Sequence, residues 1–330
     1  MSEIRKDPLT GRAVIIAPER AARPNQLGSP GKADPPQACP FCPGNENSTP
    51  PESWADRPGD SQPNQPGWSV RVVPNKYPAV AMDEAYGESY ATEPSTGTGI
   101  HEVIIESPAH SANLAALDKD QFTRIFYAYR ERLRAWRRNP RWRYRLIFKN
   151  QGARAGATFE HAHAQLIALP FVPADVENEL ASACAYHRRS ARCYYCALIG
   201  HELQAQTRVV TSSAEFIALC PLAPRFAFET WILPRIHGAA FEESEEATVA
   251  ALARISRQVI AALDRLRANP PFNYFIQSLS LDESELAHYH WQLRLLPQFS
   301  RAAGFEWGSG MHINPVAPED AARMLRDAAI

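Results

Sequence analysis

Two long stretches of the chain carry apolar residues at helical spacing. Phe122, Ile125, Phe126, Tyr129, Leu133 and Trp136 recur three or four positions apart, and so do Leu252, Ile255, Val259, Ile260, Leu263 and Leu266. That period lays one apolar stripe along a helix and predicts two amphipathic helices. Each pattern stops at an Asn-Pro step, Asn139-Pro140 and Asn269-Pro270, because proline lacks the N–H and clashes with the preceding turn. Shorter apolar runs read as strands at residues 13–17, 70–73, 101–106, 144–149, 166–169, 228–233, 273–278 and 293–296.

These elements come in the same order twice. A strand ends at a proline turn and a histidine follows, His110 after Ser107-Pro108 and His237 after Pro234. Then come the long helix, a strand, and a second histidine segment, at His161 and at His290, each leading into a further strand. His161 stands 22 positions after Asn139, and His290 stands 21 after Asn269. Agreement in order, terminators and spacing predicts an α+β fold of two tandem half-units, residues 1–172 and 173–330. The sheet is expected to be mostly antiparallel, with flanking helices.

Composition removes several classes. Across 330 residues the formal net charge is -1, without the basic excess of a general nucleic-acid binder. The arginines between Arg124 and Arg145 read as the solvated face of a helix and a strand end. No run approaches the roughly twenty apolar residues of a membrane span, and residues 1–12 have no apolar signal core. Four of the six cysteines form two C-x-x-C pairs, which suits metal ligation in a reducing, cytoplasmic setting better than disulfides. Cys184 and Cys220 read as small buried side chains. Residues 24–66 hold eleven of the 28 prolines, so little regular structure is expected there. The first cysteine pair should sit in a long loop that a metal pins.

Each half carries a full metal-type tetrad: Cys39, Cys42, His110 and His161, then Cys193, Cys196, His237 and His290. A C-x2-C knuckle with two histidines is the tetrahedral donor set of structural zinc, so one zinc per half, two per chain, is expected. Only the first half adds a spare histidine. His163 stands two after His161, where the second half has Gln292 two after His290. His161, His163 and Gln165 alternate with alanines, so on an extended strand they share a face. A metal holding His161 would thereby aim His163. A neutral imidazole, with an ordinary pKa of about 6.5, is a competent nucleophile near neutrality. By residue type His163 also reads as a general base, a further metal ligand, or a polar residue on a wet strand. Gln165 can donate to a phosphoryl oxygen beside it. The stretch Asn150-Gln151-Gly152-Ala153-Arg154-Ala155-Gly156-Ala157-Thr158 reads as a phosphate cradle or as an ordinary surface loop.

With these residues in view, the chain resembles the galactose-1-phosphate uridylyltransferase family, a two-unit branch of the histidine-triad superfamily with ADP-glucose phosphorylase-like relatives. The likeness runs through Asp7-Pro8-Leu9-Thr10-Gly11, Ala17-Pro18-Glu19-Arg20-Ala21-Ala22-Arg23-Pro24 and Pro74-Asn75-Lys76-Tyr77-Pro78. It continues through the His101 strand, Asn150 to Gln165, and Gly304-Phe305-Glu306-Trp307-Gly308-Ser309-Gly310. It implies a nucleotidyl-histidine formed on His163 and contacted by Gln165, with Asn150 and Thr158 on the phosphates. Arg20, Arg23 and Asn75 would line the nucleotide pocket. The implied substrates are a nucleotide sugar with a sugar phosphate or phosphate, and the implied assembly is a homodimer in which Trp307 reaches the partner's site. Ala162 departs from the proline common between the two histidines in the uridylyltransferases proper. The second Cys-Cys-His-His set and residues 304–314 look more like the ADP-glucose phosphorylase relatives. The leading expectation is UDP-glucose:hexose-1-phosphate uridylyltransferase chemistry. Its alternatives are ADP-glucose phosphorylase chemistry and a non-catalytic, zinc-stabilised nucleotide-binding protein. Glycines at 304, 308 and 310 leave little side chain to grip a hexose, which predicts loose sugar selectivity.

Overall fold

A computed structural model describes residues 2–18, 20, 39–82, 97–110, 113–279 and 286–329. The chain opens with β1 (Glu3–Lys6) and β2 (Ala13–Ile16). The first half continues with β3 (Trp54–Asp56), β4 (Val70–Pro74), β5 (Ile100–Ile105), α1 (Lys119–Arg137), β6 (Tyr144–Gln151) and β7 (His163–Leu169). The second half contains α2 (Ala174–Ser190), α3 (Tyr194–Ala205), β8 (Val209–Ser212), β9 (Phe216–Leu219), β10 (Thr230–Pro234), α4 (Glu246–Leu266), β11 (Phe272–Gln277) and β12 (Gln292–Pro297). The chain closes with α5 (Gly304–Ser309), β13 (His312–Asn314) and α6 (Pro318–Ala329).

Ten of these strands form one sheet in the order β3-β4-β5-β7-β6-β11-β12-β10-β9-β8, antiparallel at every step. Read outward from the middle, each half has the same plan: β6-β7-β5-β4-β3 on one side and β11-β12-β10-β9-β8 on the other. The halves join where β6 pairs with β11, from Phe272 opposite Gln151 to Gln277 opposite Leu146. The repeat legible in the sequence is therefore a repeat of sheet topology. In a second, small sheet β13 runs parallel to β2, so the end of the chain is stitched to its beginning.

Alternation along the strands splits the sheet into two unlike faces. One face is apolar, and the helices α1, α4 and α6 cover it. Ile104, Ile147, Leu166, Ile276 and Leu293 pack there in one core with Phe126, Leu133, Leu252, Leu263 and Leu325. On the opposite face the cover is patchy. Phe41 and Trp68 lie over Val103 and Ile105 at one end, and Tyr194, Tyr195 and Ile199 lie over Leu219, Trp231 and Leu233 at the other. Between these covers Phe148, Asn150, Gln165, Asn273 and Phe275 stay half-exposed. That strip is the floor of the site.

The structure overturns part of the expectation of a solvated arginine face: Arg137, Arg138 and Arg143 are exposed, but three others are not. Arg130, Arg132 and Arg145 are buried. Arg132 forks onto Glu102 at 2.7 and 3.0 Å, Arg145 faces Glu242 at 3.5 Å, and Arg130 donates to the Ser244 carbonyl at 3.1 Å. These partners are remote in sequence, so helical spacing could not reveal them. The Pro-rich stretch also holds a short strand, β3, paired with β4. The sequence reading missed α2 and α3: α2 mixes polar and apolar positions without a clear stripe, and α3 opens apolar on every side, so neither sets up a helical period. Cys220 is fully buried as expected, whereas Cys184 on α2 is half-buried beside Arg188.

A candidate reaction centre beside one of two metal-type clusters

Each predicted tetrad comes together. In both groups the four ligand atoms lie within 4.8 Å of one another. In the first, Cys42 Sγ is 3.4 Å from His110 Nδ1 and 3.6 Å from His161 Nδ1, and Cys39 Sγ is 3.7 Å from His161 Nδ1. In the second, Cys196 Sγ is 3.4 Å from His237 Nδ1 and 3.7 Å from His290 Nδ1. Tetrahedral zinc, with Zn–S of about 2.3 Å and Zn–N of about 2.0–2.1 Å, sets sulfur and nitrogen about 3.6 Å apart. The spacing and the donors fit that ion.

The histidine tautomers agree with this. His161 Nε2–H donates to the Ser107 carbonyl at 2.7 Å, and His290 Nε2–H donates to the Pro234 carbonyl at 2.8 Å. A carbonyl only accepts, so the proton sits on Nε2 and the Nδ1 lone pair faces the cluster. The two knuckles differ in their backbone. The first is a turn closed by Cys42 N–H on the Cys39 carbonyl at 3.2 Å. In the second, Cys193 is the N-cap of α3 and Cys196 lies in its first turn.

His163 begins β7 one strand position from the cluster and is 6% exposed. Its Nδ1–H donates to the His161 carbonyl at 2.8 Å, which leaves the Nε2 lone pair free. Burial first, then the nearby Lys149 ammonium, holds this imidazole below its ordinary pKa, so it is neutral at pH 7. Phe41, carried between the first two cysteines, packs its ring 5.4 Å from His163 and 6.0 Å from His161. From the helix-covered side Lys149 Nζ donates to the His163 carbonyl at 3.0 Å. Lys149 pairs with buried Glu106, which also accepts from Tyr129. The nucleophile candidate is thus braced through its main chain, and its ring edge is left to the open strip.

Gln165 lies next along the same face. Its Oε1 is 2.7 Å from His101 Nε2, and Asn75 Nδ2 lies 3.1 Å from the same nitrogen. On the neighbouring strand, Asn150 Oδ1 accepts from Asn273 Nδ2 at 2.8 Å, and its Nδ2 lies toward the Gly156 turn, 3.8 Å from where a Cβ on that glycine would stand. Asn273 also donates to the Ala155 carbonyl at 2.8 Å and so holds the cradle loop. Gly152 and Gly156 turn that loop at φ of 80° and 90°. A Cβ on Gly152 would come within 3.2 Å of Pro271, so the loop needs glycine there. Thr158 is exposed at the loop's end. Arg20 is exposed in the turn after β2, with its N–H on the Ala17 carbonyl at 3.0 Å. Arg23 lies outside the described residues.

The sequence reading missed His101, Asn273, Lys149 and Glu106. His101 alone left a trace, as a polar residue on a strand of otherwise apolar positions facing the same way. The others have no local signal, since their partners come from other strands.

In the second half this constellation is closed. Gln292 is fully buried where the first half has His163, and Arg294 replaces Gln165. Arg294 Nη2 lies 2.5 Å from Glu179 Oε1, and Tyr195, between the second pair of cysteines, donates to the same carboxylate oxygen at 2.5 Å. Helix α2 therefore plugs the equivalent strip. Glu179→Ala is expected to destabilise the protein by about 3–5 kcal/mol, since it strands a buried guanidinium. Paired Glu179→Leu/Arg294→Met should recover most of that loss. Denaturant unfolding checks both, and an unchanged Glu179→Ala midpoint would refute the plug.

An antiparallel sheet built from two like halves, with a neutral histidine at an open strip, defines a duplicated α+β protein with a candidate nucleophile in its first half. Residues 1–173 match the family model of the galactose-1-phosphate uridyl transferase N-terminal domain. ADP-glucose phosphorylase of Arabidopsis thaliana is 36% identical over 99% of this chain and 93% of that protein. Galactose-1-phosphate uridylyltransferase of Thermotoga maritima is 26% identical over 100% of this chain and 99% of that protein. The crystal structure of the Arabidopsis ADP-glucose phosphorylase with bound ADP-glucose superposes with a TM-score of 0.84 at 34% identity, covering 99% of each chain. A uridylyltransferase structure reaches 0.77 at 26% identity, covering 100% of this chain and 98% of the other. The chain belongs to the galactose-1-phosphate uridyl transferase family and is a nucleotidyltransferase. No helix among the described residues is long and apolar enough to cross a membrane.

Proposed function

We propose that this enzyme moves a nucleoside monophosphate from a nucleotide sugar to a phosphate acceptor through a nucleotidyl-histidine on His163. The observation that carries this reading is the 2.8 Å contact of His163 Nδ1 with the His161 carbonyl, an acceptor only, which puts the ring proton on Nδ1 and leaves Nε2 as the nucleophile beside Gln165. In the first step Nε2 attacks the α-phosphorus, a P–N bond forms, and the P–O bond to the departing sugar 1-phosphate breaks with its electron pair. The positive charge on the ring is shared with the His161 carbonyl through Nδ1–H. In the second step an acceptor phosphate oxygen attacks the same phosphorus and the P–N bond breaks. Amide hydrogens of Gln165 and Asn150 and the hydroxyl of Thr158 donate to the phosphoryl oxygens, while Arg20, Arg23 and Asn75 serve the nucleotide.

For the substrate pair we favour ADP-glucose with inorganic phosphate. The ADP-glucose phosphorylase relative is 36% identical over essentially the whole chain, against 26% for the uridylyltransferase. The family model favours the second reading, UDP-glucose with galactose 1-phosphate. Steady-state kinetics on both pairs decide. The ADP-glucose pair should lead by about tenfold or more in kcat/KM, which corresponds to about 1.4 kcal/mol of transition-state discrimination. A lead for the uridylyl pair would reverse the assignment.

The same reading assigns zinc to each cluster, two ions per chain, and divides the chain into a reactive unit at 1–172 and a supporting unit at 173–330. It also places the enzyme in the cytoplasm as a homodimer. Trp307, 80% exposed on α5, is the residue to reach the neighbour. Light scattering should give a dimer mass, and a monomer mass across working concentrations would contradict it.

A further inference from the structure

We propose that His101 is a positioning residue for Gln165, fixing its amide so that the NH2 group and not the oxygen faces the phosphoryl group beside His163. The proposal rests on the reading of Gln165 as a phosphoryl donor. Ala79 N–H donates to His101 Nδ1 at 3.0 Å, so that nitrogen carries the lone pair and the neutral ring holds its proton on Nε2. Two groups lie within hydrogen-bond distance of this Nε2–H. Asn75 Nδ2, at 3.1 Å, is itself a donor, and the Asn75 amide is held that way round because its Oδ1 accepts from Tyr77 N–H at 2.9 Å. Gln165 Oε1, at 2.7 Å, is therefore the acceptor.

A glutamine amide has two nearly isosteric orientations, and only one presents donors to an anion. In the other orientation its oxygen meets the phosphoryl oxygens, acceptor against acceptor. Tying Oε1 to His101 removes that state. His101 also accepts Asn75 N–H on its carbonyl at 2.8 Å, so one residue clamps the 75–79 segment and sets the amide. The second half has no such need, because Arg294 in the matching place has only donors.

The test is a double-mutant cycle read by single-turnover formation of labelled nucleotidyl-enzyme from radiolabelled ADP-glucose and UDP-glucose. It uses Gln165→Ala, His101→Phe, His101→Ala and each His101 variant combined with Gln165→Ala. Metal content and circular dichroism establish that each variant is folded, and His101→Phe keeps the ring's bulk. Gln165→Ala should slow the maximal rate by about a hundredfold, as loss of one transition-state donor does. His101→Phe should slow it by roughly tenfold, with half-saturation little changed, as expected for a donor lost mainly from the transition state. Each combined variant should be no slower than Gln165→Ala alone. His101 variants reacting at the parental rate, or multiplicative slowing in the combined variants, would overturn the proposal while leaving the Gln165 reading intact. Gln165→Ala reacting like the parent would overturn both. A parent that forms no adduct from either nucleotide sugar would overturn the functional reading itself.

Discussion

His163→Ala is expected to lower nucleotidyl exchange by about 10^4-fold or more, because it removes the covalent route and not merely a binding contact. The fold should survive. Among the described residues the His163 ring bonds to the His161 carbonyl just before its own strand and otherwise touches the rings of Phe41 and Phe159, contacts that an alanine loses without stranding a buried polar group. Metal content should stay at the parental value, since the ring nitrogens are not among the four ligand atoms of the first cluster. His161→Ala should lose metal as well as activity, because its Nδ1 faces both cysteines. The pair of variants therefore separates chemistry from scaffold. A denaturation-stable, acid-labile labelled adduct in the parent and its absence from His163→Ala would support the assignment. Exchange activity retained in His163→Ala, measured with both nucleotide sugars, would remove it.

The second large effect concerns the two clusters, which the structure connects to the reaction unequally. Cys39→Ser/Cys42→Ser should lose one metal per chain and nearly all activity although His163 itself is unchanged. The reason is Phe41, which the first cysteine pair holds against both His161 and His163. Without the metal the segment around Phe41 loses its tie to His110 and His161, and the wall of the site loosens although β3 stays paired with β4. Structural zinc sites contribute about 10–16 kcal/mol in isolated finger peptides, so even a fraction of that is decisive for one loop. Cys193→Ser/Cys196→Ser should likewise lose one metal and lower stability, yet keep activity per folded molecule. Its neighbour Tyr195 braces the Glu179–Arg294 plug and not a reaction centre. Elemental analysis, thermal unfolding and exchange rates on the two double variants give the comparison. Equal activity loss in both would show that the halves are not divided into a reactive and a supporting cluster.

Much of the design is written locally. The helical stripes of α1 and α4, the proline terminators, and the matched spacing of His161 and His290 by themselves specify a duplicated α+β chain. They can do so because a helix period and a turn depend on residues within a few positions. The two tetrads were legible for a related reason. Cysteine and histidine in a C-x-x-C frame have few other uses, and the repeat doubled the signal. The alternation of His161, His163 and Gln165 likewise placed three side chains on one face from the strand period alone.

What the tertiary structure decided is which residues those side chains meet. Only the pairing of β6 with β11 brings Asn273 to Asn150 and merges two half-sheets into one floor. Only the packing of β5 beside β7 sets His101 against Gln165, and only the crossing of α1 over the sheet buries Arg132 on Glu102. The closure of the second strip by Glu179 on α2, which leaves one open strip and not two, is of the same kind. Each of these contacts joins residues far apart in the chain, where periodicity carries no information, and polar partners of this sort are chosen by the low dielectric around them once the fold has brought them together.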